Sequence, residues 1–534
     1  MSLRRIGLAA GLALVAALVL AFTWQDRLAS FGDDSASYLV LANYFAGASG
    51  NAYAAQWAPY HSHFPPLFPM LLWLSGGVSD YRIAYGLVAA FAVLAVVLIY
   101  RFARAELRTE GEALATTVLW LLMPTAWITL KGIMSESLYL FLAMACVLFF
   151  EARIARREPS IADQLAFGTL LGLACLARTL GIALVAAYVV HGAIRIARRE
   201  QRLDARQGAA LVPVAALLAL WYSLRPSAGA DAYGSTARQI LDQWVRDPAG
   251  MLSTASGNLL SAWISSFAVQ PDVALTLAAA AMALGALAIA GVVLRAAQNR
   301  FDGWFVLASI AVIYPWVFSP ENTRRLLYPL IPIMIVSAAG FVRWAFGRPG
   351  PRARAWPFVA GFVAALAAVA SIPALVLVAQ KASDREAVIP DYPYTYREVA
   401  EYYATVNIDR ARDRAKLAVV TLEGLESIDR VTPKDARVMW MRPEYVALLG
   451  RRAATAFLYR WTPAELARAI DSSGTGYVVQ GWLSKTDLEV RQGSPYLDLS
   501  GYAHPAFRIG DIFVLMQVDR AQLDAWLREE KVTR

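Results

Sequence analysis

Long apolar runs separated by short polar connections dominate the first 380 residues of this chain. Stretches near the ~20 residues needed to cross a bilayer fall at about 6–22, 83–103, 113–130, 134–151, 163–178 and 180–196. Five more follow at about 208–224, 272–294, 303–319, 326–345 and 356–380. The pattern predicts about eleven transmembrane helices. Past residue 381 the pattern changes to short alternating segments. Residues 436–441, 455–459, 476–482 and 510–518 read as strands, and 462–470 as a helix capped by Thr462 with Glu465 three residues on. The expected architecture is therefore an α-helical polytopic membrane domain over 1–380 and a soluble α/β domain over 381–534. Two connections, about 23–82 and 225–271, are too long to be simple links. In the second, Ile240, Leu241 and Trp244 share a face against Arg238, Asp242 and Arg246, which predicts an interfacial amphipathic helix over 235–245.

Composition agrees with this reading. The chain of 534 residues is 58% hydrophobic and 17% charged, with mean hydropathy +0.44, too apolar for an ordinary soluble domain. Arginine orients it, because Lys and Arg are retained on the cytoplasmic side of short loops. One alternating set of short connections holds nineteen arginines, from Arg4 and Arg5 to Arg352 and Arg354, whereas the opposite set, with both long loops, holds nine basic residues. The amino terminus is thus expected in the cytoplasm, and eleven crossings put the carboxyl-terminal domain outside. Loop arginine accounts for much of the net charge of +9, so no nucleic-acid partner follows. The first run has a basic start but no small-residue cleavage site before Trp24, and reads as an uncleaved helix. Cys146 and Cys175 both fall inside apolar runs, which offers no disulfide or zinc site.

Polar residues cluster at the outward turns. Asp33 and Asp34 precede an apolar stretch through Tyr38, Leu39 and Leu41. One of them capping a helix is the structural reading. Capping needs a single carboxylate, however, and two adjacent ones beside a membrane repel each other, so a general base is the chemical reading. With Asp34 opening the helix, Tyr38 lies one turn later on the same face. Lys131 and Glu136 flank the next turn, where Glu136 either favours a helix dipole or binds a sugar hydroxyl or metal. Lys131 either neutralises phosphate or snorkels to the interface. Arg178 sits in a tight turn between apolar helices and calls for an anionic partner, Glu136 or substrate. Arg324 and Arg325 stand against the charge bias and suit phosphate, with anionic lipid headgroups as the other reading. His61 and His63 flank Pro65-Pro66; without a third ligand they are weak evidence for metal, though His63 is placed to touch a donor phosphate.

In order and sidedness, these pieces resemble the GT-C superfamily of membrane glycosyltransferases, in particular the bacterial branch of protein O-mannosyltransferases and aminoarabinose transferases. The resemblance rests on Asp33-Asp34-Ser35-Ala36-Ser37-Tyr38, His63-Phe64-Pro65-Pro66-Leu67, Ser135-Glu136-Ser137-Leu138, Arg178-Thr179-Leu180-Gly181 and the run from Arg324 to Pro332. It covers residues 1–380. It implies a hexosyl- or pentosyltransferase of the bacterial inner membrane that takes sugar from a polyprenyl-phosphate donor. The acceptor would be a hydroxyl of an envelope glycan, glycolipid or protein, and the sugar would transfer with inversion. By its family spacing Asp34 is the base, with Asp33 as its rival and Glu136 as a further catalytic carboxylate. Tyr38, His63, Lys131, Arg178, Arg324 and Arg325 would hold the donor. No cofactor is implied, although the three carboxylates could gather a divalent ion. The alternatives are a lipid-diphosphate-dependent oligosaccharide transferase and, from another class, a lipid-sugar flippase.

Overall fold

Helix dominates the computed structural model. It describes residues 3–28, 34–155, 159–200, 208–226, 232–267, 275–346, 365, 369, 371–384, 395–403, 408–457, 461–481, 499, 501–510 and 512–533. Among these, five helices are long and apolar enough to cross a bilayer: Ile6–Thr23, Tyr81–Glu106, Glu136–Ile154, Thr179–Ala197 and Ala278–Ala297. Two further expected spans are bent pairs. Glu110–Leu121 meets Pro124–Lys131 at 62°, and Pro320–Leu327 meets Ile331–Ala345 at 71°. Proline is the cause at both breaks. Pro124 opens its helix after an extended Met123, and Pro329 and Pro332 withdraw backbone donors from the second junction. Arg324 and Arg325 therefore ride on the separate helix Pro320–Leu327, bent away from the span that follows it.

Three expected spans are shorter apolar helices, Ile161–Ala177, Leu211–Leu224 and Phe301–Trp316. The eleventh, 356–380, falls largely outside the described residues. The long connection at 225–271 is mostly helical, with Ala232–Arg246 where the amphipathic helix was expected, followed by Pro248–Phe267. Sequence reading left that second helix as loop because Ser253, Ser256, Asn258, Ser261 and Ser265 dilute its hydropathy.

The chain divides into two compact units. The first comprises Met1–Trp24, Ser62–Phe68 and Ala84–Ser383. Its helices approach closely through small residues. A Cβ on Gly168 would overlap the Ala210 carbonyl, and one on Gly291 the Ser337 carbonyl. Such contacts replace the hydrophobic drive that helices lose among lipid tails.

The second unit comprises Gln25–His61, Pro69–Ile83 and Asp384–Arg534, so most of the first long connection packs with the carboxyl-terminal region. Its sheet is formed by β1 (Arg437–Trp440), β2 (Ala453–Ala456), β3 (Tyr477–Gln480), β4 (Ala503–Ile509) and β5 (Phe513–Val518), in the order β2-β1-β3-β5-β4. The first three are parallel, joined through helices Pro443–Leu449 and Pro463–Ser473 as parallel pairing requires. Thr462 and Glu465 form the expected reciprocal capping box. Strand β4 escaped sequence reading because its residues are mostly exposed and include Pro505. It pairs with β5 around Gly510, whose φ of 51° favours glycine.

Helix Ile408–Val431 packs on this sheet, and its Gly424 lies against the fully buried Phe513 ring, where a Cβ would overlap it. Gly424→Ala is expected to destabilise this unit by about 1–3 kcal/mol, read as a lower thermal midpoint of the full chain. An unchanged midpoint would contradict the packing.

Candidate active site

Within the first unit, one carboxylate gathers three turns that are distant in sequence. Glu136 opens helix Glu136–Phe149 and is 1% exposed. Arg178 ends Ile161–Ala177 in an extended conformation, φ −151° and ψ 145°, which turns the chain sharply into Thr179–Gly181. Its Nη1 lies 2.6 Å from Glu136 Oε1. From Pro320–Leu327, Arg325 donates through Nε at 2.9 Å to the same oxygen, with Nη2 also at 2.9 Å. Two guanidinium groups thus share one oxygen, while Oε2 accepts no hydrogen bond among the described residues. Both guanidinium groups sit on side chains only 13% and 20% exposed. Charges at such low exposure are stable only when paired and hydrogen-bonded.

Lys131 is 4% exposed and donates from Nζ to the Phe22 carbonyl at 2.7 Å, lying over the Phe22 ring at 4.3 Å. That holds the first apolar helix to the turn before Glu136. Arg324, half-buried, adds a second guanidinium beside Arg325 on one short helix. His63 lies against Phe64 with ring centroids 4.4 Å apart, in the turn before Leu67–Ser75. Two residues that sequence reading passed over belong here by their chemistry. Ser137 Oγ and Tyr328 Oη are buried near each other, neither in a hydrogen bond of ordinary geometry among the described residues. A polar ligand would complete their hydrogen bonding. Both occur inside apolar runs, where sequence alone reads them as packing.

Within the second unit, Asp34 stands at the start of helix Ser35–Ala46, half-buried, and its carboxylate makes no capping bond to the first turn. Its carbonyl accepts from the Tyr38 amide at 3.0 Å. Tyr38 follows one turn later, 2% exposed. The helix is held firmly. Asn43 donates to the Leu39 carbonyl at 2.8 Å and accepts the Asn51 amide at 2.7 Å. Asn51 in turn caps Ala52–Ala55 and donates to the Ala447 carbonyl at 2.8 Å. A carboxylate on a helix fixed this way has the rigid support that chemistry needs. Asp33 lies outside the described residues, among which no group of three His, Cys, Asp or Glu is placed to hold a metal ion.

No family model matches the sequence, and no curated protein does. Solved structures do match. The ArnT structure from Cupriavidus metallidurans with undecaprenyl phosphate bound aligns with 97% of this chain and 99% of its own, at TM-score 0.54 and 16% identity. The chain has the fold of ArnT. The same protein in its apo state aligns over 97% of this chain and 99% of its own, at TM-score 0.53 and 15% identity.

The shared oxygen predicts an order of stability. Glu136→Gln, which removes the carboxylate that both guanidinium groups share, is expected to cost about 3–5 kcal/mol. Arg178→Gln keeps Glu136 paired with Arg325 and is expected to cost less. Thermal midpoints of the two variants in detergent check this, and the reverse order would refute the assignment of Glu136 as the anchor of both arginines.

Proposed function

We propose that this protein is a membrane glycosyltransferase that moves a sugar from a polyprenyl-phosphate donor to a hydroxyl of an envelope glycan, glycolipid or protein. The observation that carries the reading is the convergence of the Arg178 and Arg325 guanidinium groups at the buried Glu136 carboxylate, on the fold of an enzyme solved with undecaprenyl phosphate. A lipid phosphate is the anion that such a cluster of guanidinium groups would recognise. Guanidinium suits it because its planar fork offers paired donors to phosphate oxygens. Arg324 and Lys131 add positive charge, and His63, Tyr38 and the hydroxyls of Ser137 and Tyr328 are the polar contacts assigned to the donor.

The reaction balances simply. An acceptor oxygen attacks the anomeric carbon opposite the phosphate, the new C–O bond forms as the bond to the phosphate oxygen breaks, and the configuration inverts. Asp34 takes the acceptor proton, with Asp33 as the other claimant. The lipid phosphate leaves with its charge met by the arginines, a stabilisation that is large where water is scarce. Glu136 holds the arginines in place instead of exchanging a proton. The mechanism uses no metal, since cations of the chain supply the charge. The arginine bias supports a chain of the bacterial cytoplasmic membrane with its amino terminus inside and its carboxyl-terminal domain outside.

The test supplies labelled polyprenyl-phosphate sugars and candidate acceptors to the purified chain in liposomes. Asp34→Asn is expected to lower turnover by roughly 10²–10⁴-fold, the usual worth of a general base, and Asp33→Asn by much less. Full activity in both variants would overturn the assignment of the base. Activity lost to a chelator and restored by a divalent ion would replace this mechanism with a metal-dependent one.

A further inference from the structure

At the other end of the span that Glu136 opens lies Glu151, about 22 Å along at ~1.5 Å per residue. It accepts from Arg300 at 3.2 Å. There, within the first unit, the ends of helices Tyr81–Glu106, Leu275–Ala297 and Ile331–Phe346 enclose a cavity of about 420 Å³. Four arginines line it, Arg108, Arg295, Arg300 and Arg343, against one carboxylate, Glu106. Glu106 is already committed, accepting from Arg300 at 2.5 Å and from Arg295 at 2.9 Å. Arg295 also pairs with the buried Asp302. Among the described residues Arg343 faces no carboxylate; one Nη donates to the Glu106 carbonyl at 3.3 Å. Arg108 is exposed. Two guanidinium groups of the lining are therefore without an ion pair among the described residues.

The rim is apolar where the interior is charged. Phe341 and Trp344 lie with ring centroids 5.8 Å apart, and Trp344 is 48% exposed, the placement aromatic side chains take at headgroup level. Gly340 leaves the interior open, since a Cβ there would meet nothing nearer than Arg295 Nη1 at 4.0 Å. We propose that this cavity binds a phosphate oxyanion, the group that an anionic phospholipid headgroup and free phosphate share. Arg343 and Arg108 hold the oxyanion, Arg295 offers its remaining Nη, and the aromatic rim receives acyl chains when the phosphate comes from a lipid. Basic pockets between the cytoplasmic ends of membrane helices bind such headgroups for this reason. The site is separate from the Glu136 cluster and does not depend on the transferase reading.

The experiment titrates the full chain, purified in detergent, with phosphatidylglycerol, with phosphatidylcholine of the same acyl chains, and with inorganic phosphate. Bound lipid is counted by native mass spectrometry, and stability is read from the thermal midpoint. One retained phosphatidylglycerol is expected, with little phosphatidylcholine. Arg343→Gln and Arg108→Gln are each expected to weaken it roughly tenfold, as for a lost hydrogen bond to a charged group. Gly340→Leu is expected to block the cavity while keeping all four arginines. Displacement of the lipid by millimolar phosphate would show that the free anion suffices; its failure would assign the site to lipid. Equal retention of both lipids, or binding unchanged in all three variants, would overturn the proposal. Because Arg108 is exposed, its variant keeps the test decisive should another fail to fold.

Discussion

The structure of the first unit turns on one buried carboxylate. Glu136 draws Arg178 and Arg325, from helix ends about 40 and 190 residues away in sequence, onto a single oxygen. Ion pairs of this kind add little net stability, because desolvation offsets much of the attraction. What they do fix is arrangement. Once three charges are buried among apolar helices, any packing that separates them leaves a bare charge behind, so the turns carrying them must meet.

A similar constraint acts at the opposite helix ends, where Glu106, Asp302 and Glu151 meet Arg295 and Arg300. Between the two clusters the helices approach through small residues, as at Gly168 and Gly291.

The second unit obeys the ordinary rules of an α/β layer. Its parallel strands require helical crossovers, and its buried positions on Ile408–Val431 recur at helical spacing, from Ala411 and Ala415 to Leu422 and Leu425. The first long connection joins this unit through hydrogen bonds between backbone and the amides of Asn43 and Asn51. That network gives the helix after Asp34 a fixed seat, which a free loop would lack.

Sequence alone determined the apolar spans, the change of composition after residue 381, the capping box at Thr462 and the start of a helix at Asp34, because each depends on periodicity or on neighbours within a few residues. The chemistry of the outward turns was legible as residue types out of place, and Arg178 announced that it needed an anion. Which anion was not legible. Only the tertiary structure gave both Arg178 and Arg325 to Glu136, brought the Ser137 and Tyr328 hydroxyls together, and placed Arg324 and Arg325 on a short helix apart from the spans. Each of those outcomes depends on how helices remote in sequence pack and bend, and hydropathy records how long a segment is and how apolar, but not which of its neighbours will lie beside it.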